Sequence, residues 1–462
     1  MIRRLIDALA FLRAFIRTRW GYRFRDRSAL LAHQERQVAE LLRRRAPQAP
    51  FYRARRGQPL HDLPIVSKQD MLRAFSRFNI HGIELEDARE AAFRAERERD
   101  FKPTLPGGIT VGCSSGTSGQ PGVFLISGRE RSVWAGTILA RMLSSVLLKR
   151  VLNPFAAPVR IAFFLRANSN LYTSVRGLRI RFEFFDLVAP MSTHAALLDR
   201  YAPDVLIAPA SVLAHLGRLQ RAGSIAVHPA QVISVAETLE ADDTRWIQSA
   251  WHLKPQQIYQ CTEGFLGYSC AHGSLHLNEE FVHFETQSLG DDRVAAVVTD
   301  FSRHTQLFVR FQMDDVLRPN TAPCACGRVT MRLTSIEGRQ DDVLWLPTVD
   351  GRALHPVFPD QVRRALMLAI PQCEDYRLRQ RGLSVEIALL GAGGGWAAAR
   401  GRIRAEFAAL CRNLNVREPA LVQTAWTAGA ALEKRRRIVC VSRPSEAPSE
   451  PLGAHASVGG AA

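Results

Sequence analysis

From about residue 105 onward, short β-branched or aromatic runs alternate with longer spans of helical periodicity, and this alternation constrains the fold more than any other feature of the chain. The runs R160-I-A-F-F-L, F182-E-F-F-D-L-V and Q257-I-Y-Q read as strands. D204-V-L-I-A-P followed by S211-V-L-A-H-L-G-R-L reads as strand, turn and helix, and Q231-V-I-S-V-A-E-T-L as a strand with a polar end. Residues 129–151 and D242-D-T-R-W-I-Q-S-A-W read as helices. Strands and helices in turn predict an α/β fold class. At 462 residues the chain exceeds what one core usually organises, so two domains or more are expected. Composition divides it into a helical N-terminal arm and lead-in (1–104), a core α/β region (105–340), a smaller α/β section (341–441) and a Ser/Pro/Ala/Gly-rich tail (442–462) expected to be disordered.

In residues 1–46, apolar positions recur every three or four residues, so Leu5, Leu9, Leu12 and Ile16 can share a helical face. The favoured reading is an arm packed on its own domain. Its arginine-rich opposite face leaves peripheral membrane contact as the less favoured alternative. Residues 1–56 hold fifteen Arg and four Asp or Glu, or +11 of the formal +17. Such a surface attracts nucleic acid, anionic lipid or an acidic protein. No nucleic-acid motif accompanies it, so nucleic acid is not an expected partner. Arginines interrupt the first apolar run and no clear small-residue cleavage site follows, which makes a poor signal peptide. Eight cysteines are too few for a disulfide scaffold at this length, so a cytoplasmic chain with reduced thiols is expected.

The stretch V111-G-C-S-S-G-T-S-G-Q-P-G122 lacks the Gly-Lys-Ser or Gly-Lys-Thr ending of the common nucleotide-triphosphate loop. Its hydroxyl residues are Ser114, Ser115, Thr117 and Ser118, and Gly112, Gly116, Gly119 and Gly122 allow tight turns that expose backbone N–H groups. Such a nest suits phosphate oxygens. Read alone, the stretch is equally a plain surface loop.

In company it reads differently. The loop resembles the phosphate-binding loop of the adenylate-forming enzymes, and it looks most like that of the phenylacetate–CoA ligase and coenzyme F390 synthetase-like branch. Tyr259-Gln-Cys-Thr262-Glu263-Gly264 is similar to that family's Tyr-x-x-Thr-Glu element, and Ala236-Glu237-Thr238 to its adenine-side segment. V309-R-F-Q-M-D-D315 resembles the stretch whose aspartate binds ribose, and I336-E-G-R-Q-D-D-V343 the arginine-containing hinge. Lys434 lies where the family places its catalytic lysine. The likeness runs from about 105 to 441 in the correct order. It implies a large N-terminal α/β domain, a small mobile α+β C-terminal lid domain, and activation of a carboxylic acid by ATP and Mg²⁺.

The implied roles are chemically coherent. Ser114, Ser115, Gly116, Thr117, Ser118 and Gly119 would clasp the β- and γ-phosphates, and Ala236, Glu237, Thr238 and Tyr259 would line the nucleotide. Thr262 would donate to the α-phosphate, Glu263 would hold Mg²⁺, which seeks hard oxygens, and Asp315 would accept from the ribose hydroxyls. Arg339 would approach ribose and phosphates from the domain junction, with Asp341, or its neighbour Asp342, as the hinge. Singly, Thr262 and Glu263 could be a helix cap and a surface acid, and Asp315 a turn residue. Only five lysines occur in the chain, so a lysine at 434 hints that a compact charge is wanted there. The loop departs from the pattern of many relatives, which carry lysine after its last glycine, where this chain has Gly119-Gln120-Pro121-Gly122.

Cys270 and His276 lie upstream of Pro323-Cys-Ala-Cys-Gly327. A single Cys-x-Cys pair is a weak metal signal. The arrangement is similar to that in phenylacetate–CoA ligase relatives, which implies a structural zinc on Cys270, His276, Cys324 and Cys326, with Cys261 and His272 as competing ligands. The resemblance implies an aromatic acid substrate and, as acceptor, coenzyme A or the phosphopantetheine thiol of an acidic acyl carrier protein. An amine acceptor, as in indoleacetate–lysine ligases, and a non-catalytic nucleotide-binding scaffold are the alternatives.

Overall fold

The computed structural model describes residues 2–113, 122–165, 167–339, 342–370, 373, 375–391, 395–427 and 436–444. The glycine loop 114–121, Asp341, Lys434 and the tail beyond 444 lie outside the described residues. The chain divides into two compact units, the larger on residues up to Ile336 and the smaller starting at Glu337.

In the larger unit, β1 (Thr110–Cys113) and β2 (Val123–Ile126) form an antiparallel hairpin whose register pairs Cys113 with Val123, so the two ends of the glycine loop are held side by side. An eleven-stranded sheet follows. Its first five strands are β3 (Val159–Leu165), β4 (Ile180–Asp186), β5 (Val205–Ala208), β6 (Gln231–Ser234) and β7 (Gln256–Gln260). They pair in parallel, in the order β4-β3-β5-β6-β7. Each of the runs read as a strand between 160 and 260 overlaps one of these strands, although of Q231-V-I-S-V-A-E-T-L239 only Gln231–Ser234 is strand. Strand alternation then sorts the side chains: Ile161, Phe163 and Ile207 enter one core, and Ala162, Phe164 and Leu206 enter another on the opposite face. A strand buried on both faces needs a continuous apolar run, which β3 and β5 supply.

The sheet continues with β8 (Phe265–Ser269), β9 (Leu275–Leu277), β10 (Val282–Gly290), β11 (Arg293–Asp300), β12 (Phe311–Asn320) and β13 (Arg332–Arg339), in the order β7-β8-β9-β13-β12-β11-β10. The pairs β7–β8, β8–β9, β9–β13, β11–β12 and β10–β11 are antiparallel. These strands enclose a third core with Leu266, Leu277, Val298, Phe308 and Phe311. Arg141 and Glu280, both almost fully buried, pair at 2.6 Å, and Arg141 also donates to the Tyr268 hydroxyl at 2.9 Å. This joins helix Gly128–Met142 to β8.

The smaller unit carries a hairpin, β14 (Leu344–Pro347) with β15 (Leu354–Val357), and a four-stranded sheet of β16 (Asp375–Arg381), β17 (Ser384–Leu390), β18 (Ala420–Gln423) and β19 (Ile438–Ser442). Helices Pro359–Ala369 and Gly395–Asn413 share its core. The buried Gln380 donates to the carbonyls of Trp345 (2.6 Å) and Gly382 (2.8 Å) and accepts from the Trp345 N–H (2.8 Å), which ties hairpin to sheet.

The N-terminal arm departs from the sequence reading. The helical span read over 1–46 is broken: helix Ile2–Ile16 ends in a wide turn at Arg17–Gly21, and Asp26 caps a second helix, Arg27–Glu40, by accepting the Ala29 N–H. Leu5, Leu9, Leu12 and Ile16 do share a face, but that face is exposed, and Phe11 and Phe15 pack inward instead. The arm lies so close to helix Gly128–Met142 that a Cβ on Gly136 would come within 2.3 Å of the Phe11 carbonyl. Gly136→Val is therefore expected to detach the arm. Overpacking of this kind costs about 1–3 kcal/mol, and the check is a lowered thermal midpoint with faster tryptic cleavage at Arg13 and Arg17.

Candidate active site

Strand β7 is the last parallel strand, and the turn after it carries Thr262 and Glu263. The Cys261 N–H donates to the Gly264 carbonyl at 3.0 Å, closing a tight turn into β8. The Thr262 hydroxyl donates to Glu263 Oε2 at 2.9 Å, and both side chains are half-buried. Gly264 sits where a Cβ would lie 2.6 Å from the buried Asp300 carboxylate, so the turn has no room for a larger residue.

The segment after β6 lies alongside. The register that pairs Ser234 with Gln257 carries Ala236, Glu237 and Thr238 past Tyr259 at the carboxyl ends of the parallel strands. Ligands of open α/β sheets bind at such ends. Ala236 has φ +65°, a left-handed conformation that costs an alanine energy and that surrounding structure must enforce. Glu237 Oε2 accepts the Ser211 N–H (3.0 Å) at the start of the helix after β5, which holds the segment in place.

Asp315 arrives from β12, four steps away across the sheet order. In a flat sheet four steps would separate β7 and β12 by about 19 Å. Yet the Tyr259 hydroxyl donates to Asp315 Oδ2 at 2.5 Å, and the Cys261 thiol lies 3.8 Å from the same oxygen. The antiparallel half of the sheet therefore curls back on itself. Burial, and next the Asp315 carboxylate, push the Tyr259 phenol well above its ordinary range, so it stays a donor at neutral pH.

Arg339 is the last residue of β13, past the boundary at Ile336 and so on the smaller unit's side of that strand. Its N–H donates to Asp342 Oδ2 at 2.8 Å, and Asp342 is also gripped by Arg436, whose Nε lies 2.8 Å from Oδ1. Burial raises the Asp342 carboxyl, and Arg436 opposes that shift. Arg436 lies two residues past Lys434 in sequence.

The contact of Trp134 escaped the sequence reading, whereas the aromatic-rich region 163–185 is legible in the sequence, equally as an acid pocket or as alternating core strands. Trp134 Nε1 donates to Gln260 Oε1 at 2.9 Å, beside Tyr259 on β7. Around Trp134 stands an aromatic wall: Tyr172 (ring centroids 6.0 Å away), then Phe163 (5.0 Å from Tyr172), with Phe182 and Phe184 (5.5 and 6.5 Å from Phe163). Phe164 and Phe185 stack on the opposite face of the sheet, away from this wall. Strand alternation could have separated the two groups. No signal in the sequence pairs Trp134 with Gln260.

The Cys/His set converges. Cys270, at the end of β8, begins a turn in which the Gly273 N–H returns to the Cys270 carbonyl (2.8 Å). Cys324 begins a matching turn closed by Gly327 (3.0 Å), and both glycines adopt positive φ. The ligand atoms of Cys270, His276, Cys324 and Cys326 all lie within 4.8 Å of one another. Cys270 and Cys324 sulfurs are 3.8 Å apart, and Cys326 Sγ is 3.4 Å from His276 Nε2. A tetrahedral zinc with ordinary bond lengths would space these atoms by about 3.8 and 3.5 Å. The Thr330 hydroxyl, 3.0 Å from His276 Nδ1, fixes the ring with Nε2 toward the sulfurs. Burial disfavours a thiolate at Cys324. Hydrogen bonds from the Cys326 backbone, Ser274, His276 and the Cys326 thiol outweigh it and hold this thiol well below its ordinary range. Of the competing ligands, Cys261 faces Asp315 and His272 is exposed. The cluster sits at the far end of β8 from the Thr262–Glu263 turn, roughly 20 Å along the strand.

No protein-family model and no curated protein matches the chain. Solved structures do. A 2-hydroxyisobutyryl-CoA ligase in the postadenylation state, in complex with 2-HIB-AMP, is 17% identical, with a TM-score of 0.59 over 89% of each chain. The same ligase with R3-HIB-AMP gives 16% and 0.58 over 89% of each chain. Its open conformation with 2-HIB-AMP and CoA gives 17% and 0.53, over 89% of this chain and 91% of that one. This is the fold of the adenylate-forming enzymes. Within that fold, the Tyr259–Asp315 bond links the two halves of the sheet. A hydrogen bond to a charged group contributes about 1.5–3 kcal/mol. Tyr259→Phe is expected to lower stability by that order in chemical denaturation, whereas Asp315→Asn, which keeps an acceptor, should cost less.

Proposed function

We propose that the chain activates a carboxylic acid with ATP and passes the acyl group to a thiol. The observation that carries this reading is the convergence of the Ala236–Thr238 segment, the Thr262–Glu263 turn and Asp315 at the carboxyl ends of the parallel strands of an adenylate-forming fold. An acid oxygen attacks the α-phosphorus, the bond from that phosphorus to the bridging oxygen breaks, and pyrophosphate leaves. Thiol attack on the mixed anhydride then releases AMP. The transition state carries dense negative charge, which preorganised donors stabilise best. Thr262 would turn its hydroxyl proton from Glu263 to the α-phosphate when ATP binds, the glycine loop 114–121 binds the β- and γ-phosphates, and Lys434 bridges the acid and the α-phosphate. Glu263 supplies a hard oxygen for Mg²⁺, whose role is to screen the triphosphate. Asp315, with Tyr259 donating to one of its oxygens, keeps the other for the ribose hydroxyls.

The acid is an aromatic one in this reading. The wall of half-buried Trp134, Tyr172, Phe182 and Phe184 around buried Phe163 supports it, because aromatic rings pack favourably edge to face or offset. The thiol is that of coenzyme A or of an acidic carrier protein.

The four Cys/His residues fit a structural zinc in spacing, chemistry and outer-shell support. Zinc there would clamp the β8–β9 turn to the β12–β13 connection, leaving no open position for catalysis.

Pyrophosphate release measured across a panel of aryl and aliphatic acids tests the first step. Aryl acids are expected to support it, and Lys434→Ala to slow it by about a hundredfold or more while sparing thiol attack on preformed acyl-adenylate. Absence of acid-dependent release over the whole panel would leave only a nucleotide-binding scaffold. Adding coenzyme A, a phosphopantetheinylated carrier or lysine separates thioester from amide formation. Elemental analysis of the purified chain is expected to find one zinc per chain, lost in Cys324→Ser with a lower thermal midpoint.

A further inference from the structure

Helix Ile2–Ile16 has two apolar faces, and among the described residues only one is packed. Phe11 and Phe15 pack inward, whereas Leu5 (62% exposed), Leu9 (58%), Leu12 and Ile16 run along the outside, and Trp20 (46%) continues the stripe. Exposed apolar stripes of this extent mark interaction surfaces.

The stripe leads to a second apolar feature. Arg19 donates to the carbonyls of Ala140 (3.0 Å) and Leu143 (2.9 Å) and to the Ser145 hydroxyl (3.4 Å), which ties the end of the arm to the start of helix Ser145–Leu152. That helix and the loop after it expose Val146, Leu152 and Phe155. The neighbouring loop exposes Leu178. Arg179, next to it, donates to the carbonyls of Arg150 (3.2 Å) and Ala156 (2.6 Å) and binds the loop between them. Phe155 and Leu178 are left at the tips of two joined loops, each 97% exposed.

Charge selects the occupant. Segments 5–20, 145–156 and 175–181 together hold eight Arg or Lys and one acid, Asp7. Arg13, Arg17, Lys149, Arg176 and Arg181 are exposed. Apolar groups flanked by cations of one sign match an anionic lipid interface, where side chains enter the acyl boundary and guanidinium groups meet the headgroups. A fifteen-residue helix spans about 22 Å, too short to cross a bilayer, so it lies in the plane. We propose that the arm and the Phe155/Leu178 tips dock this protein on an anionic membrane surface. This rests on the exposed surface alone and stands apart from the proposed chemistry.

The full chain is mixed with vesicles of phosphatidylcholine, or of equal parts phosphatidylcholine and phosphatidylglycerol, and sedimented. Binding to the anionic vesicles is expected, weaker by roughly tenfold or more on phosphatidylcholine and reduced by salt. The pairs Leu9→Glu with Leu12→Glu, and Phe155→Ser with Leu178→Ser, should each lower partitioning by roughly tenfold or more. Both should leave the thermal midpoint unchanged, because these side chains are exposed. Three results would overturn the proposal: no binding to anionic vesicles at low salt, partitioning that survives either pair of substitutions, or a wild-type dimer that Leu9→Glu with Leu12→Glu dissociates, which would make a second copy the occupant.

Discussion

Strand β7 is paired in parallel with β6 and antiparallel with β8, and the larger unit is organised about that change of direction. A parallel sheet needs crossover connections, which cover its faces with helices. An antiparallel sheet joined by hairpins has no such restriction and can curl. The curl brings Asp315 to the Tyr259 hydroxyl across a separation of 56 residues. One hydrogen bond thus joins the open half of the sheet to the curled half. The turn with Thr262 and Glu263 hangs from the same strand, so the candidate site inherits its geometry from the switch.

Support for this arrangement comes from outside the site. The Cys270, His276, Cys324 and Cys326 cluster closes the opposite end of β8, and the buried Arg141–Glu280 pair with Tyr268 fixes the face of that strand toward helix Gly128–Met142. A buried ion pair is costly to break from one side, because the remaining charge stays without its partner. Strand β8 is therefore held at both ends and from one face.

The arm follows a different logic. Its inner face is apolar because it packs, and Gly136 lets it approach its partner helix closely. Its outer face is apolar without packing. Hydrophobic burial explains the first face; the second has a use only if the surroundings include another apolar phase.

Much was legible in the sequence. The apolar runs at 160–165 and 204–209 fall on strands because a strand buried on both faces leaves a continuous apolar signature, and 257–260 falls on β7, whereas of the run read over 231–239 only Gln231–Ser234 is strand. The Cys/His set was legible by its likeness to relatives, its spacing alone being a weak signal, and the pairing of β9 with β13, with Thr330 on His276, helps gather those residues. Less legible was the arm, where the period of Leu5, Leu9, Leu12 and Ile16 defines a shared face but is blind to what that face meets. The pairing of Trp134 with Gln260 and of Tyr259 with Asp315 had no local trace at all. By itself the sequence determined which segments are strand or helix and which residue types are available for chemistry, since periodicity and propensity act over a few neighbours. Only the tertiary structure decided which faces are buried and which distant side chains meet, because the curl of the sheet and the packing of helices are settled by all the contacts together.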